Sequence, residues 1–338
     1  MNVPVSTSLP VLDMSLLDGD EASAATFRHA VRRTTHETGF FYLTGHGIPG
    51  EVVDRAFAAA ERFFALPEKN KLEVEMLRSP HFRGYNRTGG ELTRGRVDWR
   101  EQIDIAAERD PWKEPAAPAY MRLEGPNLWP SAQPELRTVF LDWEQRCSVI
   151  ARRLMRAWAV ALGSPADVFD ATYGDRPSTL IKLVRYPGRE DRGQGVGAHK
   201  DPGVLTLLML EGGKGGLQIE RDGEWLEAPA VPGAFVVNIG ELMEFATDGY
   251  LKATVHRVVS PPMGETRLSI PFFFNPALDS TVPRIDLPAE LAEHARGVSQ
   301  DPDNVISGTF GENLLKARLR AHPDVAAAHH ADLVTSTP

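Results

Sequence analysis

The sequence predicts a mainly β fold with flanking helices, and three observations predict it. From residue 178 to about 280, apolar residues alternate in short runs broken by Gly, Pro and Asp. Residues 134–163 carry instead a long apolar stripe at helical spacing. The first 110 residues switch between the two patterns, as a mixed α/β region does. The chain therefore divides into an N-terminal region (1–110), a Pro-rich connection (111–133), a long helix (134–163), a β core (178–280) and a partly helical C-terminal segment (281–338).

Each element has a local reason. LPVLDMS (9–15) reads as a short early strand ending in turn chemistry. Ala25, Phe27, Ala30, Val31 and Thr34 give a helix from Glu21 to Thr35, which Gly39 stops. FFYLTGHGIP follows as a strand entering a turn. A second helix, about Glu51 to Leu66, places Val52, Val53, Phe57, Ala60, Phe63 and Phe64 on one stripe before Pro67. Pro111, Pro115, Pro118, Pro126, Pro130 and Pro134 then forbid a helix. Beyond them Leu136, Phe140, Trp143, Cys147, Ile150, Leu154 and Trp158 recur every three or four residues. A helix of that length spans roughly 40 Å and serves as a brace along the core. Seven β-type runs follow: TLIKLVRY, VLTLLML, GLQIE, EWLEA, AFVVNI, ATVHRVV and RLSIPFFF. Such a succession without crossover helices suits a sandwich, barrel or jelly roll. A weak helical pattern returns around 311–319.

Composition narrows the function. The 338 residues include 37 basic and 46 acidic side chains, a net charge of −9. Such a surface repels phosphate backbones and anionic lipid, which argues against a nucleic-acid or membrane-surface binder. No apolar run is long enough to span a bilayer. The first residues lack a basic stretch followed by an apolar one, so they do not read as a secretion signal. Cys147 has no second cysteine to pair with and fits a reducing compartment. The expectation is a soluble cytoplasmic protein; a monomer is compatible with it.

Among ten histidines, context singles out two. His199 sits in GVGAHKDPGVLTLLML, with Asp201 two residues on. In extended chain those two side chains share a face and can converge on one cation. His256 follows inside ATVHRVV, another β run. Two His and one carboxylate on a β scaffold match the facial set that leaves open positions on non-haem Fe(II). The bland alternative is three unrelated residues, since H-x-D arises by chance and strand histidines are mostly structural. Arg267 and Ser269 shift the balance. An Arg inside the apolar strand RLSIPFFF is costly to bury without an anion. Its planar fork suits a carboxylate, with Ser269 adding a hydroxyl donor; the alternative is an internal salt bridge.

GAHKDPGVLTLLML, GGLQIERDGEWLEAPAVPGAFVVNIGELMEFATDGYLKATVHRVV and RLSIPFFFNP together resemble the core of the iron(II)/2-oxoglutarate dioxygenases of the isopenicillin-N-synthase-like class. LPVLDMSLL, ETGFFYLTGHGIP, FFALPEKNK, FRGYNRTGGE, DWREQIDI and GPNLWP resemble the N-terminal half of the same class, so the likeness runs over roughly residues 8–280. The resemblance implies a double-stranded β-helix (a jelly roll) with the long helix packed alongside. It implies Fe(II) held by His199, Asp201 and His256, with 2-oxoglutarate as cosubstrate and O₂ as oxidant. Arg267 and Ser269 fall on the family's Arg-x-Ser motif for the distal carboxylate of 2-oxoglutarate, and Tyr186 matches a tyrosine that reaches cosubstrate or substrate. Arg83, Tyr85, Arg185, Leu205 and Phe272 are pocket candidates by position.

The sequence departs from the family at Lys200, Glu241 and Val184. Lys200 should point away from the metal, and Val184 replaces an Asn that contacts cosubstrate in plant relatives. The activity implied is hydroxylation of a small metabolite, with desaturation or ring closure as variants and succinate and CO₂ as co-products. Arg83 and Arg185 suit an acidic or amino-acid-like substrate, the equal alternative being that both make surface ion pairs, and a place in secondary metabolism is expected. Two other readings remain. One is an iron oxidase of the same fold, independent of 2-oxoglutarate, with the substrate's own carboxylate on Arg267 and Ser269. The other is a jelly-roll binding protein without turnover. Elsewhere the Asp98–Glu101 stretch reads as a structural turn, EGGKGGLQI as a hairpin connection, and His329 and His330 as solvent-exposed.

Overall fold

A computed structural model describes residues 9–114, 116–298 and 305–334 of the chain. Residues 1–8, 299–304 and 335–338 and Pro115 lie outside the described residues, and with them the ends of the N-terminal region and the C-terminal segment. Among the described residues, fourteen strands form two principal sheets and one small hairpin. The large sheet contains β1 (Val11–Asp13), β2 (Phe40–Thr44), β3 (Gly84–Asn86), β6 (Glu101–Ala106), β7 (Ser178–Pro187), β9 (Leu205–Leu210), β12 (Phe235–Ile239) and β14 (Thr266–Asn275). Its order is β1-β2-β12-β9-β14-β7-β6-β3. The small sheet runs β11 (Glu224–Glu227), β10 (Leu217–Arg221), β13 (His256–Val259) and β8 (Gln194–His199). The hairpin is β4 (Leu92–Thr93) with β5 (Arg96–Val97). Its turn residues Arg94 and Gly95 have φ of 48° and 73°, the left-handed pair that a tight two-residue turn requires.

Strands from the N-terminal region pair directly into the sheet of the β core, so the sheet is shared between them. EGGKGGLQI does not join a hairpin: β9 lies in the large sheet and β10 in the small one, so the segment crosses between sheets. Its glycines serve a change of layer. β8, which carries His199, and β6, which carries the EQIDI end of the DWREQIDI stretch, are strands that alternation in the sequence did not mark.

Period-two alternation gives the large sheet two unlike faces. Ile181, Leu183, Leu205, Leu207, Met209, Phe235, Val237, Leu268, Ile270, Phe272 and Phe274 pack on the helical side. Val184, Tyr186, Leu210 and Val236 point the other way, meeting Val196, Leu217, Ile219 and Val258 of the small sheet. That second cluster is the interior of the jelly roll.

The Glu135–Ala161 helix buries Phe140, Trp143, Cys147, Ile150, Leu154 and Trp158 against the sheet. Gly163, at φ 83°, ends it, and the Ser164 N–H returns to the Ala159 carbonyl at 2.9 Å. Helices Glu21–Glu37 and Gly50–Ala65 pack against this brace. Asp20 caps the first, accepting from the Ser23 N–H at 2.9 Å. The weak pattern near 311–319 is a full helix, Phe310–Ala321. His330 departs from expectation: it is buried and stacks on Phe82 at 5.1 Å, whereas His329 is exposed. A neighbouring element covers one side of this pair, which helical geometry alone does not reveal.

Candidate active site

His199 ends β8 and His256 opens β13, and the two are directly paired across the small sheet. Asp201 follows in the loop after β8. Donor atoms of the three residues lie within 4.8 Å of one another. Each imidazole commits its Nδ1 to a main-chain carbonyl: His199 to Gly197 at 2.8 Å and His256 to Thr254 at 3.1 Å. That leaves both Nε2 atoms facing Asp201 Oδ1, at 3.6 and 3.7 Å. Asp201 Oδ2 is held by the Thr206 hydroxyl at 2.6 Å and the Asn238 amide at 2.7 Å, so Oδ1 is turned to the centre. Two bare imidazole nitrogens and one carboxylate oxygen, each fixed by an outer partner, are a donor set that fits Fe(II).

Burial disfavours charge on all three residues, and their mutual contacts decide the outcome. Burial and the nearby His199 hold His256 down to about 4. Burial opposes the ionisation of Asp201, yet the His199 contact and the His256 charge keep it well below the carboxylate range. Gly240 fits where a side chain cannot: a Cβ there would lie 2.2 Å from the Gly203 carbonyl and 2.7 Å from that of Asp201. This close approach seats the NIGE segment against the ligand loop, and the Glu241 N–H donates to the Asp201 carbonyl at 2.8 Å.

Arg267 pairs with Tyr186 and Ser269 with Val184 across β14 and β7, all on the inner face. The Arg267 guanidinium lies 4.9 Å from the centre of the Tyr186 ring. It is 1% exposed, and its Nε and one Nη have no hydrogen-bond partner among the described residues. A buried cation with two idle donors fits an anionic ligand.

A cavity of about 1130 Å³ opens beside the ligands, with His199, Asp201 and Thr206 in its wall. Arg83 also lines it. Tyr85 does not: its hydroxyl donates to Glu101 at 2.6 Å inside the helix-side core. Arg185 pairs with Glu101 and lies over Phe64, because position 185 falls on the helix-facing side of β7. Phe272 is fully buried on that same side, and its neighbour Phe273 lines the cavity instead. Leu205 borders the cavity while packing into the helix-side core. Glu101 is thus the centre of a buried ion cluster with Lys71 at 2.9 Å, while Asp98 anchors β8.

The wall includes charged residues that sequence reasoning did not single out. Lys182 meets Glu91 at 3.0 Å and Asp104 at 3.3 Å; Arg100 meets Glu91 at 2.9 Å; Arg318 meets Asp104 at 2.7 Å. Glu124 takes both Arg109, at 2.7 Å, and Arg176. Lys182 was findable, since it shares a strand face with Val184 and Tyr186. Arg318 sits in a helix that joins the wall only through the tertiary fold.

Family models match both halves: residues 9–132 match the non-haem dioxygenase in morphine synthesis N-terminal model, and residues 177–276 match the 2OG-Fe(II) oxygenase superfamily. The chain belongs to the 2OG-Fe(II) oxygenase superfamily. It is 37% identical to the 2-oxoglutarate-dependent dioxygenase frbJ of Dothideomycetidae sp. (strain 11243), over 94% of this chain and 90% of that protein. It is 33% identical to homoarginine-6-hydroxylase 2-ODD-C23.1 of Arabidopsis thaliana, over 91% of this chain and 96% of the relative. Among solved structures, full-length Neurospora crassa T7H in complex with alpha-KG superposes with a TM-score of 0.74 at 27% identity, covering 93% of this chain and 97% of that one. This oxygenase is therefore an Fe(II)/2-oxoglutarate-dependent enzyme with a jelly-roll core. The described residues hold no helix long and apolar enough to cross a membrane.

Proposed function

We propose that this oxygenase hydroxylates a small, charged, amino-acid-like metabolite, with His199, Asp201 and His256 as its iron ligands. The convergence of two idle Nε2 atoms and one carboxylate oxygen beside the cavity carries the reading. Arg267, Ser269 and Tyr186 receive 2-oxoglutarate, its distal carboxylate meeting the idle guanidinium donors. Fe(II) with 2-oxoglutarate and O₂ supplies the oxidising power that functionalises a substrate C–H bond, releasing succinate and CO₂. The chain's share is placement. Thr206 and Asn238 orient the Asp201 carboxylate, two main-chain carbonyls orient the imidazoles, and the apolar jelly-roll interior keeps water away from the buried Arg267.

The charged wall supports an anionic group on the substrate. Glu91, Asp104 and Glu124 are each claimed by two cations. Among the described residues Arg83 has no acid: it donates to the carbonyls of His81 at 2.8 Å and Leu123 at 2.9 Å, and its buried Nε lacks a partner there. Burial, reinforced by Arg318, lowers its guanidinium to about 9. A substrate carboxylate at Arg83 would relieve that excess of positive charge. A cytoplasmic location and a role in secondary metabolism belong to this proposal, and the single buried Cys147 suits a reducing compartment.

Succinate release from 2-oxoglutarate tests the reading, using free amino acids, among them L-homoarginine, beside their carboxamide analogues. Stimulation by acids over amides is expected. Stimulation by amides alone, or by none of the acids, overturns the substrate assignment.

A further inference from the structure

We propose that Asp98 is the positioning residue for His199, fixing the imidazole through Gly197 and tying it to the wall of the cavity. The inference rests on the reading that His199 binds the metal.

Asp98 is fully buried and accepts four hydrogen bonds: from the Thr93 hydroxyl at 2.7 Å, the Gln194 amide at 3.0 Å, the Gly197 N–H at 3.1 Å and Arg100 at 3.2 Å. A carboxylate offers about four lone-pair sites, so its orientation is fully determined. Two of the donors, Gln194 and Gly197, belong to β8. The carbonyl of Gly197 in turn accepts from His199 Nδ1 at 2.8 Å. A two-step relay thus runs from a buried anion to the ring that must present a bare Nε2.

The two histidines differ in how much they need such help. His256 is buried, and its ring is packed edge-on to Phe40 at 5.2 Å. The His199 side chain is 29% exposed, ends its strand and lines the open cavity. Its packing alone does not fix it. Gly197 contributes no side chain to hold the strand, and a Cβ there would meet Thr93 at 2.9 Å and the Gln194 amide at 3.0 Å. The glycine is what lets the hairpin of β4 and β5 press against β8 while Asp98 grips both. Thr93 and Arg100 themselves line the cavity, so the carboxylate joins the substrate wall to one metal ligand.

The test is Co(II) titration of the metal-free full-length protein, read by the visible ligand-field bands and by affinity. Asp98→Asn keeps the shape but sets an amide N–H₂ against donors. We expect Co(II) affinity to fall about 10- to 100-fold, the range for losing an outer partner of a ligand, with altered bands. Glu101→Gln, which opens an equally buried ion cluster unconnected to the ligands, should lower stability and leave the Co(II) bands unchanged. Thr93→Val, a smaller change, should shift affinity about threefold in the same direction, and it decides the matter alone if Asp98→Asn does not fold. Wild-type affinity and bands in Asp98→Asn, or in Thr93→Val when it stands alone, overturn the inference. His199→Ala separates the two failures. Retained Co(II) binding there overturns the metal-site reading, whereas loss there beside an unchanged Asp98→Asn overturns this inference alone.

Discussion

His199 and His256 are cross-strand partners on β8 and β13, their ring centres 4.4 Å apart. The spacing of the two imidazoles is therefore set by sheet register rather than by a loop, and a slip of one residue would turn a ring away from its partner. His256→Ala should retain its far-ultraviolet circular dichroism while its iron content, measured after anaerobic loading, falls to roughly a tenth or less. Undiminished iron content would show that other residues bind the metal.

Arg267 is the buried cation whose idle donors await an anion. Arg267→Leu should raise the 2-oxoglutarate concentration needed for half-saturation by about 100-fold, as expected when charge-assisted bonds worth ~3 kcal/mol are lost. Calorimetry on the metal-loaded protein reads this directly. Unchanged cosubstrate binding with loss of substrate binding would favour the 2-oxoglutarate-independent alternative.

Phe272 and Phe273 are neighbours with opposite tasks. Phe272→Ala should cost about 3–5 kcal/mol of stability by opening a cavity in the helix-side core. Phe273→Ala should leave stability nearly unchanged and alter the range of substrates that stimulate succinate release, since Phe273 faces the cavity. Urea melts beside a substrate panel separate the two.

Lys182 serves Glu91 and Asp104 together, all three largely buried. Lys182→Met leaves both carboxylates short of a cation, and a loss of about 3 kcal/mol is expected. Denaturant midpoints for Lys182→Met against the wild type measure it.

His322 is buried, and desolvation holds its imidazole down to about 4 against 6.5 when exposed. Between those values the unfolded chain binds a proton that the folded chain does not. Stability from this group is complete above pH 6.5 and declines as pH falls toward 4, by ~1.4 kcal/mol per unit. His322→Phe should lessen the slope of denaturant stability against pH within that window and leave the slope above it unchanged.

What could be read from the sequence follows the periodicity. Alternation marked β7, β9, β12 and β14, and the i, i+2 relation placed Arg267 and Ser269 on one face, as they are. Carried four residues beyond Ser269 on β14 and two before Val184 on β7, the same relation selects Phe273 over Phe272 and Lys182 over Arg185. β8 escaped detection because Gln194–His199 is rich in glycine and poor in apolar residues. Asp98 read as part of a turn because its four donors come from the hairpin, a neighbouring arginine and a strand roughly a hundred residues away. Arg318 lines the cavity and His322 approaches Glu91, both from the C-terminal segment, where no local pattern announces a role.

The most direct test of the central claim is an anaerobic titration of the Fe(II)-loaded protein with 2-oxoglutarate, followed in the visible range. A charge-transfer band from chelated 2-oxo acid should grow and saturate in the wild type, need far more 2-oxoglutarate in Arg267→Leu, and be absent in His256→Ala. No band in folded, iron-replete wild type would contradict the assignment of this cavity as the site where iron and 2-oxoglutarate meet.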